Sequence, residues 1–261
     1  MDIINLNYSL AGVLVGVIVG LTGVGGGSLM TPLLVLVFGF QPVTAVGTDL
    51  LYASATKTVG TTVHGWRGTV DWKVVGRLAL GSVPATLLTL WALSYANAKS
   101  GNAAGHTVQI VLGITLILSA TAAIFRKRLV AWLTPRFDAM SAWQLFGLTV
   151  VLGAILGALV SLTSVGAGAL GMTALLILYP NLPVNKLVGS DIAHAVPLTL
   201  LGGLGHAWLG TVNFALLGSL LVGSIPGIIV GSLIASRVSD RVLGPILAIV
   251  LAIVGVKLLF G

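Results

Sequence analysis

Long apolar runs separated by short polar breaks dominate this chain. Eight of these runs approach the length of about 20 residues that an α-helix needs to cross a bilayer. They cover residues 8–22, 44–64, 74–95, 108–125, 145–162, 187–209, 214–235 and 243–260. Two shorter apolar pieces, 29–38 and 170–179, each follow a glycine-rich break. The pattern predicts an all-α polytopic membrane protein with about eight transmembrane helices and two glycine-broken half-helices or re-entrant segments.

Composition supports this fold class. The chain has 261 residues, of which 57% are hydrophobic and 7% are charged, whereas a soluble domain carries about a quarter charged residues. A soluble enzyme and a disordered chain are therefore excluded. The net charge of +7 does not indicate nucleic-acid binding, because the charges lie between the apolar runs. The absence of cysteine excludes disulfides and thiolate metal sites, and we expect no metal or cofactor. The N-terminus lacks the basic region of a cleaved signal peptide, so we expect the first run to be retained.

The chain contains an internal duplication. The segment L-T-G-V-G-G-G at 21–27 aligns with L-T-S-V-G-A-G at 162–168, an offset of 141. At an offset of 142, V-G-T-D at 46–49 aligns with V-G-S-D at 188–191, and G-S-V-P at 81–84 with G-S-I-P at 223–226. The predicted organisation is a first repeat at 1–125, a basic cytoplasmic linker at 126–141 and a second repeat at 142–261.

The distribution of basic residues indicates how the two repeats are oriented. If each glycine break enters and leaves the membrane on one side, ten basic residues share one face against two on the other. The ten are Arg67, Lys73, Arg77, Arg126, Lys127, Arg128, Arg136, Lys186, Arg237 and Arg241, and the two are Lys99 and Lys257. If each break crosses once, the ratio falls to eight to four. The positive-inside rule therefore favours inverted repeats, with both termini outside the cytoplasm.

The glycine breaks are candidate anion sites. Four glycines in seven residues interrupt a helix and free backbone N–H groups, which survive in a membrane only where they are buried or line a cavity. The candidate substrate-binding residues are Thr22, Gly23, Gly25, Gly26, Gly27, Ser28, Thr163, Ser164, Gly166 and Gly168. Helix N-termini at such breaks favour a small oxyanion. A close helix-packing site or a hinge is the alternative.

Two aspartates lie within apolar helices, each in a Gly-Thr/Ser-Asp triplet. An ionisable group in a membrane is costly, so Asp49 and Asp191 need a partner or a function. We interpret them as candidate proton-coupling residues, with an N-terminal helix cap as the alternative. Both belong to polar helical stripes: Asp49, Tyr52, Thr56, Lys57, Gly60 and His64 in the first half, and Asp191, His194, Thr199, Gly202 and His206 in the second.

Lys57 is the one basic residue predicted inside the membrane, because Thr199 occupies its position in the second stripe. It is a candidate substrate-binding residue, and pairing with Asp191 or extension to the interface are alternatives. His64 and His206 lie beside Trp66 and Trp208 at predicted helix ends, where we interpret them as structural.

These residues resemble the TauE/SafE sulfite-exporter family, also called the four-toluenesulfonate uptake permease family. The resemblance rests on L-T-G-V-G-G-G-S-L at 21–29 with P-L-L following, V-G-T-D at 46–49, H-x-W-x-G-T-V at 64–70, the basic linker and the repeated half. It implies a multi-pass permease of the cell inner membrane for sulfite, sulfonates or related small anions, driven by protons.

The predicted function is therefore a membrane permease that works by alternating access, and not an enzyme. Its expected partners are a small anionic substrate, protons, the lipid bilayer and a second copy of the chain in a homo-oligomer, but no nucleic acid. A passive anion channel and a non-transporting accessory subunit are alternatives. An intramembrane hydrolase is a further one, in which Ser28 would be activated by His194 or His206.

Overall fold

A computed structural model describes residues 5–22, 27–66, 68–100, 103–137, 140–234 and 240–260 of the chain. Every regular element in these residues is helical. The α-helices are α1 Leu6–Thr22, α2 Gly27–Leu36, α3 Pro42–Trp66, α4 Trp72–Ser100, α5 Ala103–Phe137, α6 Ala142–Thr163, α7 Met172–Leu178, α8 Val184–Trp208, α9 Phe214–Ile234 and α10 Asp240–Phe260. A π-helical turn, Ala167–Gly171, leads directly into α7.

Each predicted apolar run forms a helix, and the all-helical membrane class is confirmed. Five of the described helical stretches are long and apolar enough to cross a membrane: Trp72–Ala96, Gly105–Phe137, Ala142–Thr163, Val184–Trp208 and Phe214–Gly231. Large apolar side chains on these helices are exposed, as a lipid-facing surface requires. Trp66 and Trp208, at the ends of α3 and α8, are 87% and 92% exposed, a position typical of residues at the membrane interface.

Most of the basic segment at 126–141, which the sequence predicts to be a linker, is helical. Helix α5 continues through it to Phe137, because the segment is rich in Arg, Lys, Leu and Ala, which favour helices. The next helix begins after Ser141, whose hydroxyl accepts the N–H of Gln144 while the Gln144 side chain accepts the Ser141 N–H. This capping box fixes the start of α6.

The two glycine breaks fold the chain back on itself. In the first half, the ring of Tyr8 near the start of α1 lies 5.0 Å from the ring of Phe38, which follows α2. In the second half, the hydroxyls of Thr149 near the start of α6 and of Tyr179 after α7 are 2.7 Å apart. Each short helix therefore returns towards the end of the bundle from which the preceding helix came.

Glycines allow two pairs of parallel helices to pack at backbone contact. Gly12 and Gly16 of α1 lie against the backbone of Leu220 and Ser224 in α9. Gly153 and Gly157 of α6 lie in the same way against Leu78 and Ser82 in α4. A Cβ at any of these glycines would approach a carbonyl oxygen closer than real Cβ atoms do. The packing of α1 on α9 thus recurs, at equivalent sequence positions, in the packing of α6 on α4.

The other main helix pairs run antiparallel. Gly47 near the start of α3 meets His206 near the end of α8, while Leu50 meets Gly202. In the pair formed by α5 and α10, the Gln109 side chain donates to the carbonyl of Leu258 over 3.0 Å. Helix α3 aligns in sequence with α8, and α5 with α10, so in both pairs equivalent helices meet in opposite directions. The α3–α8 contact forms the polar centre of the bundle.

Candidate functional site

The described side chains of the polar stripes of α3 and α8 are buried. Asp49, Tyr52, Thr56 and Lys57 are at most 8% exposed, and Asp191, His194, Thr199 and His206 are at most 6% exposed. The charge of Lys57 on α3 acts on both Asp191 and His194 of α8. The two predicted stripes therefore come together in one central cluster.

Asp49 binds the first half-helix rather than capping its own helix. Helix α3 begins at Pro42, so Asp49 lies about two turns inside it and the N-cap interpretation is wrong. Asp49 Oδ2 instead accepts the backbone N–H of Thr31 in α2 at 3.1 Å, and the Thr31 hydroxyl donates to the same oxygen. Asp49 thus holds α2 through two donors, an arrangement that stabilises a carboxylate.

The second glycine break reaches the same carboxylate. Ser164, which ends α6, has a φ of 58°, and its side chain lies beside Asp49. Neither Ser164 Oγ nor Asp49 Oδ1 has a partner with hydrogen-bond geometry. Thr163 Oγ1 accepts the N–H of Val165 at 3.1 Å, which holds the chain as it leaves the helix. The break of one half therefore meets the aspartate of the other.

Asp191 has a different environment from Asp49. Helix α8 begins at Val184, so Asp191 also lies about two turns inside its helix and does not cap it. Its Oδ1 is buried without a hydrogen-bond partner and faces Gly171, where a Cβ would come within 2.8 Å of it. The nearby Thr173 hydroxyl donates to the Ala169 carbonyl at 2.7 Å instead. Among the described residues, none therefore donates to Asp191 Oδ1, whereas Thr31 provides two donors for Asp49.

Lys57 is the cation of this cluster. It is 8% exposed, and the charges of Asp191 and Asp49 both act on it. Two of its predicted roles, substrate binding and pairing with Asp191, require a position inside the bundle. Both agree with the burial of Lys57. Extension of the ammonium to the interface is inconsistent with its burial. A buried ammonium needs an anionic counter-charge, which an ionised Asp49 or Asp191 provides.

Two further side-chain pairs connect opposite halves. His194 Nε2 on α8 lies 2.9 Å from Ser82 Oγ on α4, and His194 Nδ1 is buried without a partner. At the equivalent positions, Tyr52 on α3 lies beside Ser224 on α9. Sequence reasoning did not assign the two serines to the site, although their place in the repeated G-S-V/I-P segments was a usable signal.

His206 is fully buried rather than interfacial, and both of its ring nitrogens have protein partners; the side chain of His64 lies outside the described residues. Its Nε2 lies 2.9 Å from the carbonyl oxygen of Ser161, and since a carbonyl can only accept, Nε2 carries the proton. Its Nδ1 lies 2.9 Å from Thr211 Oγ1. The Ser161 carbonyl belongs to the last turn of α6, where carbonyls lack helical partners. His206 therefore stabilises the end of the broken helix.

The hydroxyl residues directly before the two aspartates also contact the opposite half. The Thr48 hydroxyl accepts the backbone N–H of Asn213 at 3.0 Å, and the Ser190 hydroxyl accepts that of Asp71 at 2.8 Å. Asn213 lies 142 positions after Asp71, and Ser190 lies 142 positions after Thr48. The Thr/Ser of each triplet thus holds the turn that follows the equivalent helix of the other half.

Part of the predicted substrate site lies outside the described residues. This applies to Gly23, Gly25 and Gly26, and to the side chains of Thr22 and Ser28. Gly27 begins α2. In the second break, Gly166 has a φ of 120°, which only glycine adopts without strain.

The residues after Gly166 begin a helix, which bears on anion binding. Gly168 lies in the π-helical turn, and the first N–H groups of this turn have no acceptor within their own helix. His194 Nε2 lies against Ser82 Oγ and His206 Nε2 against the Ser161 carbonyl, while the side chain of Ser28, the nucleophile of the hydrolase alternative, lies outside the described residues. No three His, Asp or Glu side chains in the described part of the chain are grouped as metal ligands would be.

Comparison with known proteins identifies related membrane transporters. The sequence model of the family described as "Sulfite exporter TauE/SafE" matches residues 8–258. The probable membrane transporter protein YjnA of Bacillus subtilis is 40% identical over 226 residues, which cover 85% of this chain and 87% of the relative. The probable membrane transporter protein YdhB of the same organism is 29% identical, covering 81% and 82%. A probable membrane transporter protein of Xylella fastidiosa is 27% identical, covering 82% and 78%. No solved structure matches.

Proposed function

Because this chain belongs to the sulfite exporter TauE/SafE family of membrane transporters, we propose that it carries a small anion across the inner membrane by proton-coupled alternating access. The substrate is sulfite, a sulfonate or a related organosulfur anion. The observation that carries the proposal is the buried Lys57 between Asp49 and Asp191. In a membrane, such a cluster is retained for function rather than for stability.

The anion is bound where the two breaks meet the α3–α8 stripes. Lys57 provides the positive charge, and the backbone N–H groups after Gly166 provide donors. The buried atoms without partners, among them Ser164 Oγ and His194 Nδ1, are available to a ligand. Unpaired buried polar groups are costly and concentrate at functional sites. Asp49 or Asp191 accepts the coupling proton.

The proposed transport unit consists of two inverted repeats, 1–125 and 142–261, joined by the cytoplasmic segment 126–141. Each repeat is a hairpin followed by three crossings. The antiparallel contacts of α3 with α8 and of α5 with α10 support this orientation, since equivalent helices of parallel repeats would run the same way. The basic residues then gather at the cytoplasmic end, and both termini lie outside.

Accessibility labelling tests the orientation, because the chain contains no native cysteine. In intact cells, an impermeant maleimide should label the Asn7→Cys variant and leave Lys127→Cys unlabelled until the cells are opened. Labelling of Lys127→Cys alone from outside would refute the orientation.

Counterflow in proteoliposomes tests the function. Vesicles loaded with one anion are exposed to traces of sulfite, thiosulfate, sulfoacetate, taurine and simple carboxylates. We expect saturable exchange of at least one sulfur oxyanion and its accumulation when a pH gradient is imposed. Flux that neither saturates nor accumulates the anion would indicate a passive channel instead.

A matched pair of glycine variants tests the second break. Gly166 and Gly39 both have positive φ, at 120° and 69°, so alanine strains both positions. Gly39 lies in the turn after α2, away from the cluster. We expect Gly166→Ala to lose exchange and Gly39→Ala to keep it. Equal exchange in both variants would favour the hinge or packing interpretation of the break.

A further inference from the structure

The charge balance of the central cluster constrains how the anion and the proton move together. The described titratable side chains are Asp49, Tyr52 and Lys57 on α3 and Asp191 and His194 on α8, whereas His206, further along α8, is held by the Ser161 carbonyl and Thr211. The described residues that the neighbouring helices contribute to the cluster are hydroxyl-bearing: Thr31, Ser82, Ser164 and Ser224. The formal charges are therefore one ammonium and up to two carboxylates, beside a histidine and a tyrosine.

The two carboxylates differ in their ability to hold a negative charge. Asp49 Oδ2 accepts two hydrogen bonds from Thr31, which favour the ionised form. No donor from the described part of the chain contacts Asp191 Oδ1, which faces the Cα of Gly171. A buried carboxyl group without donors avoids the desolvation cost of its charge by keeping a proton. These contacts favour the ionised form of Asp49 and the protonated form of Asp191, while the charge of Lys57 acts on both side chains.

Adding an anion to this cluster without a proton would leave an uncompensated negative charge in the membrane, which is strongly unfavourable. We propose that the substrate is a monoanion that replaces Asp49 as the counter-ion of Lys57. As it binds, Asp49 takes up one proton from the water on the open side and becomes neutral. One proton therefore moves with each monoanion, and the loaded site carries no net charge. This inference rests on the proposed function and adds the substrate charge, the stoichiometry and the identity of the coupling residue.

The loaded and empty sites are both balanced in this scheme. The empty site contains the Lys57 ammonium, the Asp49 carboxylate and the Asp191 carboxyl group. The loaded site contains the Lys57 ammonium, the anion and two carboxyl groups. When the anion leaves on the other side, Asp49 releases its proton and pairs with Lys57 again. No covalent bond to the substrate forms or breaks.

Flux driven separately by pH and by voltage tests this scheme. The probe is methanesulfonate, a strong-acid anion that carries no proton itself, or the monoanion that exchanges best in counterflow. With the potential clamped at zero by potassium and valinomycin, accumulation should reach about tenfold per pH unit, the ratio for one proton. A potential imposed at equal pH should drive no accumulation. Voltage-driven accumulation, or about a hundredfold per pH unit, would overturn the proposal.

Three matched Asp→Asn variants test the assignment of the proton. Asp49→Asn should lose pH-driven accumulation but retain exchange, because Asn cannot neutralise Lys57 in the empty site and only the loaded form crosses. Asp191→Asn, which mimics a neutral carboxyl group, should keep the one-to-one ratio, whatever its rate. Asp71→Asn is the control, since Asp71 lies outside the cluster and accepts the N–H groups of Lys73 and Val74 at the start of α4.

The outcomes separate the inference from the function on which it rests. If Asp191→Asn loses accumulation while Asp49→Asn keeps it, the assignment is wrong although the transporter is proton-coupled. If wild-type flux follows the voltage, the charge balance is wrong although the anion is carried. If no anion of the counterflow panel exchanges, the proposed function fails and this inference fails with it. The wild-type voltage experiment does not depend on the folding of any variant.

Discussion

The two halves of this transporter are nearly identical in packing and different in chemistry. Gly81 of α4 lies against the Val150 carbonyl of α6, and Gly223 of α9 lies against the Ser9 carbonyl of α1 in the same way. Gly223 lies 142 positions after Gly81, and Val150 lies 141 positions after Ser9, so the two contacts are equivalent in the duplicated sequence. Close helix contacts in a membrane tolerate little change in side-chain size, so both halves keep small residues there.

The polar stripes have diverged instead. Tyr52 aligns with His194, and Lys57 aligns with Thr199. Thr31 donates to Asp49, whereas Thr173 bonds within its own helix. The two stripes therefore share an aspartate, but only the first contains a lysine. The comparison indicates that close packing is kept in both halves, whereas the side chains of the polar stripes are not.

The largest effect is expected at the shared packing. Gly81→Ala and Gly223→Ala would each bring a Cβ against a carbonyl oxygen, an overlap that the helices relieve only by separating. We expect each variant to lose at least about 2 kcal/mol of stability. Gly76→Ala and Gly218→Ala are the matched controls, because no atom lies within 4 Å of a Cβ at either position.

Thermal unfolding in detergent measures these four variants. The two buried variants should lose stability by similar amounts, and the two controls should unfold as the wild type does. A large loss at Gly81 with none at Gly223 would break the equivalence of the halves.

A smaller effect is expected where the halves differ. Thr31→Val removes the hydroxyl that donates to Asp49, and a hydrogen bond to a charged group is worth about 1.5–3 kcal/mol. We expect pH-driven uptake to fall by about tenfold or more. Thr173→Val removes a hydroxyl that bonds to its own helix and should change uptake less than about twofold. Equal losses in the two variants would mean that both half-sites hold their aspartate alike.

The smallest expected effect concerns the end of the broken helix α6. His206→Phe removes the donor to the Ser161 carbonyl, and an unpaired buried acceptor costs about 1–3 kcal/mol. We expect lower thermal stability in detergent, with the transport of the folded fraction retained. Trp208→Phe, at a side chain that is 92% exposed, should leave the unfolding temperature unchanged. Loss of transport without loss of stability in His206→Phe would give His206 a role in the site.

Much of this organisation could be predicted from the sequence, because hydrophobic run length and the repeated motifs report helices directly. The bounds of the runs at 44–64 and 187–209 agree with those of α3 and α8 to within a few residues. The buried polar stripes, with Lys57 in one of them, were predicted as well. These features follow from helical periodicity and from the cost of polar groups in lipid.

The pairing of side chains between halves could not be predicted. Thr31 and Asp49 belong to different helices, and Ser164 and Asp49 to different repeats, so periodicity along one helix does not report their contact. The N-cap interpretation of Asp49 and Asp191 was wrong because α3 and α8 begin seven residues earlier, at Pro42 and Val184. The first residues of the two helices, 42–43 and 184–186, contain proline or polar side chains, and hydrophobicity alone does not assign such residues to a helix.

The most direct test of the central claim moves the cation from one half to the other. Lys57→Thr makes the first stripe resemble the second, and Lys57→Thr with Thr199→Lys transfers the ammonium to the equivalent buried position, since Thr199 is 1% exposed. The measurement is pH-driven accumulation of the counterflow substrate in proteoliposomes. We expect the single variant to accumulate no substrate and the double variant to recover part of the wild-type accumulation. Wild-type accumulation in Lys57→Thr would contradict the role of Lys57 as the counter-ion of the transported anion.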